Sequence, residues 1–298
     1  MRSAFITLAA FSFLGTAGGL ARAEDGFFDS NGVRIHYVSE GKGEAVVLIH
    51  GFTGSAEMWG ITSPKACAVW SQLVKHYRLI ALDCRGHGKS DKPHDVKLYG
   101  KQHVEDVIRL LDHLQIKKAH VVGYSMGTTI AGLLCVSHPD RVLSVVYGGG
   151  VPLCEMTAET RKMALLTATG LEEGKGLVPV ILAAPAAPGR PKATPEVAKF
   201  ISQLIVGKQD QKALGACVRG NLELEVTADQ LKASRPPALV VYGSKEGDGD
   251  EAVQKAYRHI AKLMGAKVRV IEGSDHVGTI ARPELAEAIE TFLKEHKS

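Results

Sequence analysis

A chain of 298 residues, 45% hydrophobic and 23% charged, carries enough apolar material for a sizeable core, which excludes a disordered or fibrous class. Its formal net charge is +4, spread without any run of Lys or Arg, so neither nucleic acid nor an anionic membrane surface is indicated as a partner. In chain order, Arg2 and the small-residue apolar run Ala4–Leu20 lead into Ala21-Arg22-Ala23, a signal-peptide cleavage pattern with Glu24 as the new N-terminus. Residues 1–23 are therefore expected to be removed and the protein exported, to the periplasm or the extracellular space. Ser12, Gly15, Thr16, Gly18 and Gly19 make that run poor for spanning, so no stable membrane insertion is expected after cleavage.

Phe27–Asp29 and Arg34–Ser39 flank Asn31-Gly32 and read as a hairpin. Ala45–Ile49 is a continuous apolar run, the kind buried on both faces of a parallel sheet, and ends in His50-Gly51-Phe52. A helix is predicted over Pro64–His76 and a strand over Arg78–Leu82, ending in the turn-like Asp83–Ser90. Tyr99–Leu114 is amphipathic. The run His120-Val121-Val122 then meets Gly123-Tyr124-Ser125-Met126-Gly127 and a helical pattern to His138. Strands follow at Val142–Tyr147, Ala238–Tyr242 and Lys267–Ile271, with helices at Ala252–Met264 and Pro283–Lys294. Between them, residues 151–232 are helix-like and include the Pro-rich stretch Ala184–Pro195. That segment is too long for a plain loop and reads as a helical lid over the carboxyl ends of the strands. The expected organisation is a core domain of residues 24–150 and 233–298 with residues 151–232 inserted after strand 6. The fold class is α/β, a mostly parallel eight-stranded sheet with helices on both faces.

G-x-S-x-G between a strand and a helix presents a serine on a sharp turn, where side chains at 123 and 127 would collide. Ser125 is the candidate nucleophile. His276, after the last strand, is the candidate general base, taking the serine proton and returning it to the leaving group. The acid that orients it is expected after the preceding strand, where Glu246 and Asp248 both stand as candidates; Asp250 reads as a helix N-cap. The backbone N–H groups of Phe52 and Met126 are the candidate oxyanion donors. His50 reads as a structural hydrogen-bonding residue, and Trp59 and Met126 as candidates for the substrate pocket. The five cysteines lack metal-ligand spacing, so no metal site is expected. Cys135 reads as a buried small hydrophobe; in an exported protein Cys154 and Cys217 are candidates to pair.

His50-Gly51, Asp83-x-Arg85-Gly86-His87-Gly88-x-Ser90, Gly123–Gly127 and Gly273-x-x-His276 together resemble the α/β-hydrolase fold superfamily, in its capped, esterase- and lipase-like serine hydrolase form. The resemblance covers about residues 30–296 apart from the middle segment, and the order serine, acid, histidine matches it. It implies an ester or lactone hydrolase working through an acyl-enzyme on a small-molecule substrate, without cofactor or metal. The same triad also serves perhydrolases (haloperoxidases), thioesterases and C–C hydrolases, and the fold includes non-catalytic receptors. Relatives that act as epoxide hydrolases or haloalkane dehalogenases carry Asp where this chain has Ser125. Proline iminopeptidase-like members carry H-G-G-P-G where it has His50–Gly54. The sequence is silent on oligomeric state.

Overall fold

The computed structural model describes residues 23–185 and 191–297. The expected leader, residues 1–22 with most of the cleavage pattern, lies outside the described residues, as does 186–190 of the Pro-rich stretch. Strands β1 (Glu24–Asp29) and β2 (Arg34–Glu40) form the hairpin. Asn31 and Gly32 at its tip both take positive φ, 57° and 81°, the backbone that a two-residue turn matched to strand twist requires. Then come β3 (Ala45–Ile49), the short helix α1 (Val69–Leu73), β4 (Arg78–Leu82), α2 (Lys101–His113), β5 (Ala119–Tyr124), α3 (Met126–Ser137) and β6 (Val142–Gly148). Five helices follow: α4 (Ala158–Glu172), α5 (Val178–Ala183), α6 (Pro195–Val206), α7 (Gln211–Gly220) and α8 (Ala228–Ala233). The chain closes with β7 (Ala238–Gly243), α9 (Glu251–Leu263), β8 (Lys267–Ile271), α10 (His276–Ala281) and α11 (Pro283–Glu295).

The strands make one eight-stranded sheet in the order β1-β2-β4-β3-β5-β6-β7-β8, with β2 antiparallel to both neighbours and every later pairing parallel. Alternation along β3 splits the core in two. Val47 and Ile49 join the layer that α2 and α3 cover through Val107, Leu111, Ile130 and Leu134. Val46 and Leu48 join the opposite layer, covered by α1 and α11 through Trp70, Leu73, Leu285, Ile289 and Phe292. Registry brings the strand ends level: Ile49 pairs with Gly123, Tyr124 with Gly148, and Gly243 with Ile271. The loops after β3, β5, β6, β7 and β8 therefore meet at one edge.

Three expectations need correction. The helix expected over Pro64–His76 shrinks to Val69–Leu73, because the Ser63 carbonyl accepts from the N–H groups of Ala66 and Cys67 and closes a tight turn first. His276 does not sit in a loop: it is the first residue of α10, capped by Asp275, whose side chain accepts from Gly278 N–H at 2.6 Å. All five cysteines are free. Cys217 is buried on α7 against His103, whereas Cys154 lies beside Val226 through a single β-bridge, so the two do not pair. Cys135 is buried as expected.

Candidate active site

The turn after β5 forces Ser125 to φ 52° and ψ −114°, a backbone that L-residues rarely adopt. It forms because the flanking positions carry no Cβ: one at Gly123 would overlap the Gly127 carbonyl, and one at Gly127 would overlap that of Ile49 in β3. Ser125 N–H donates to Gly148 O at 2.9 Å, tying the turn to β6. Thr128 Oγ1 bridges the Ser125 and Val151 carbonyls at 2.7 and 2.9 Å.

His276 arrives from the end of β8. Its Nε2 lies 3.0 Å from Ser125 Oγ, and its Nδ1 lies 2.6 Å from Glu246 Oε1. Tyr124 OH donates to the His276 carbonyl at 2.6 Å, holding the histidine backbone from the residue before the serine. Burial raises the Tyr124 phenol well above its ordinary value, so it remains a donor. The loop bearing Glu246 is laced to the segment that leads into His276: Ser244 N–H donates to Ile271 O at 2.9 Å, Lys245 N–H to Ser274 O at 2.8 Å, and Gly273 N–H to Ser244 Oγ at 2.8 Å.

Of the candidate acids, Glu246 occupies the Nδ1 side of the imidazole, and its side chain is 4% exposed. Asp248 is exposed, two residues on, in a left-handed backbone with φ 58°. Asp250 caps α9, accepting from Ala252 N–H at 2.9 Å. His50 is fully buried; its Nδ1–H donates to Gly51 O at 2.7 Å and its Nε2 accepts from Cys84 N–H at 3.0 Å. That pattern suits a neutral ring, and burial lowers its pKa accordingly. It braces the turn that carries Phe52.

The same turn is fixed from below by Asp83. Its carboxylate accepts from Ala56 N–H at 2.7 Å, Lys89 N–H at 2.7 Å and His36 Nδ1–H at 2.9 Å. Burial alone would raise this carboxyl, but those donors outweigh it and hold the pKa at about 2. Neither Phe52 N–H nor Met126 N–H donates to any group among the described residues, and Met126 opens α3 where helix N–H groups lack partners. Trp59 does not reach the site: it is fully buried in the α1–α11 layer, packed away from the cleft.

Ser125 and His276 open into a cleft of about 650 Å³. One wall is the segment after β6, including Leu153, Cys154 and Met156; the other is α9, through Val253, Tyr257 and Ile260. Sequence reasoning missed both walls. They come together only through the fold, and nothing in their local pattern marks them as pocket residues.

The alpha/beta hydrolase fold family model matches residues 44–174 of this chain. An epoxide hydrolase of Caballeronia sordidicola is 36% identical over 124 residues, 40% of this chain and 36% of that protein. The dihydrolipoyllysine-residue acetyltransferase component of the acetoin cleaving system of Cupriavidus necator is 29% identical over 272 residues, 91% of this chain and 68% of that protein. The chain thus spans about a third of the one and about two thirds of the other. Among solved structures, a thermophilic esterase from Thermogutta terrifontis superposes with a TM-score of 0.72 at 22% identity, over 93% of this chain and 100% of that one.

Proposed function

We propose that this chain, whose residues 44–174 match the alpha/beta hydrolase fold model and which shares its fold with the solved esterase, is a serine hydrolase cleaving a carboxylic ester or lactone through an acyl-enzyme. The observation that carries the reading is the continuous relay from Ser125 Oγ to His276 Nε2 and from His276 Nδ1 to Glu246, at 3.0 and 2.6 Å. Ser125 Oγ attacks the carbonyl carbon while His276 Nε2 takes its proton. The carbonyl π electrons move onto oxygen, which the N–H groups of Phe52 and Met126 receive. Collapse of the tetrahedral species breaks the bond to the leaving alcohol, and His276 gives that oxygen the proton. Water, deprotonated in turn by His276, then cleaves the acyl–serine ester and releases the acid. Glu246 fixes the Nδ1–H tautomer and offsets the imidazolium charge.

An epoxide-opening role, suggested by one of the relatives, fits Ser125 poorly. Serine attack on an epoxide carbon would leave an alkyl ether, which has no carbonyl for water to attack, so the enzyme would not turn over.

Hydrolysis of p-nitrophenyl acetate by the wild type beside Ser125→Ala tests the reading, together with labelling by a fluorophosphonate. We expect labelling of the wild type alone and a fall in kcat of roughly a thousandfold or more in the variant. Full activity in Ser125→Ala would remove the serine from the chemistry.

A further inference from the structure

The cleft above Ser125 has a second compartment. A pocket of about 220 Å³ opens between α4 and α7, lined by Phe52, Ala164, Val218 and Leu222. It shares Met126, Thr129, Leu153, Met156 and Thr160 with the larger space, so the two adjoin. Their linings divide by chemistry. Ser125 and His276 both line the large compartment and neither lines the small one, so the reacting carbonyl sits in the large compartment and the small one can hold only what extends from it. Phe52 lines only the small one, Met126 stands between the two, and the wall of the small one is almost wholly apolar.

This division orients the substrate. His276 Nε2 must hand its proton to the leaving oxygen, so the alcohol portion has to lie in the compartment that His276 lines. The acyl portion stays bound to Ser125 after the alcohol leaves, and past Met126, the next residue, it can run away from His276 into the small pocket beside Phe52. We propose that the pocket between α4 and α7 is the acyl site, selecting an unbranched apolar chain, and that the large compartment takes a bulky, partly polar leaving group. The proposal rests on the serine-hydrolase reading. The pocket holds about seven water-sized groups, each close to a methylene in volume, which sets the preferred acyl chain at roughly four to eight carbons. The leaving-group side has room for a much larger group and carries polar side chains: Thr157 lies on it, and His259 pairs with Glu155 at 3.3 Å at its rim.

Ala164 on α4 and Val218 on α7 are the positions at which the acyl pocket can be filled, and both are half-buried on cover helices rather than in the main core. The test measures kcat/KM for two series: p-nitrophenyl esters from acetate to dodecanoate, and acetate esters of alcohols of increasing size. For the wild type, kcat/KM in the first series should rise roughly fourfold per methylene up to about octanoate and then fall. Ala164→Phe, with Val218→Phe as an independent second variant, should move that optimum to acetate or propionate. The octanoate-to-acetate ratio should fall at least thirtyfold, while the ranking in the alcohol series stays as in the wild type. A flat acyl profile in a wild type that a fluorophosphonate still labels would overturn the acyl assignment alone. A shift in the alcohol series instead would show that the two compartments are exchanged. Absence of both labelling and turnover would overturn the assignment together with the serine-hydrolase reading.

Discussion

Glu246 bonds to His276 from inside the fold: its side chain is 4% exposed, whereas the imidazole it touches is 42% exposed. A carboxylate so shielded has His276 as its charge partner at 2.6 Å, and removing the charge leaves the ring free to take the wrong tautomer. Glu246→Gln should therefore cut kcat by roughly a thousandfold or more with little change in fold, while Asp248→Asn should stay within severalfold of the wild type. Steady-state rates on one good ester decide it, and equal losses in the two variants would mean that Asp248 shares the role. Ser125 and His276 were legible in the sequence because each lies within three residues of a glycine just past an apolar run. The acid was legible only as a pair, Glu246 or Asp248, because their loop reverses direction through left-handed backbone at Gly247 and at Asp248, a residue type that gives no firm sign of that geometry. Trp59 misled for a related reason: proximity in sequence to the His50–Phe52 turn does not say which face of the sheet a side chain enters.

At the scale of elements, the loop after β3 is pinned to the loop after β4 through Asp83, and its stability depends on pH in a defined direction. The folded Asp83 carboxyl titrates at about 2, below the unfolded value of about 3.9, so the folded state holds its proton more weakly. The resulting stabilisation of roughly 2 kcal/mol is fully present above about pH 4 and is lost as pH falls toward 2. Urea unfolding of wild type and Asp83→Asn should differ by about that amount at pH 7, and the two curves should converge between pH 4 and 2. A gap that stays constant with pH would mean that the carboxylate charge is not what matters. The strands were the easiest elements to read, because a run such as Ala45–Ile49, buried on both faces, leaves a continuous apolar signature. Short helices such as α1 and α10 were not, since five or six residues carry too little periodicity.

At the scale of the molecule, the helices after β6 are not a separate body resting on the sheet. Leu171, Leu177, Val206 and Leu214 make a small cluster of their own, but Ala216, Cys217 and Leu224 belong to the same core layer as β3, β5 and β6. Swinging α7 away would strip that layer, so cover and sheet should unfold together. Scanning calorimetry should give one transition with a calorimetric-to-van't Hoff enthalpy ratio near one; an earlier, separate peak would show the cover melting alone.

The two tryptophans of the chain, Trp59 and Trp70, both lie in the layer under α1 and α11, on the far side of the sheet from α2, α3 and α7. Intrinsic tryptophan emission therefore watches one half of the protein. It follows the integrity of that lower layer, yet a ligand settling over Ser125 changes nothing around either indole. Quenching and spectral shifts are thus blind to occupancy, and a fluorescent binding assay needs an indole placed on the cover, at a position such as Ala164, where the light would come from the compartment that fills.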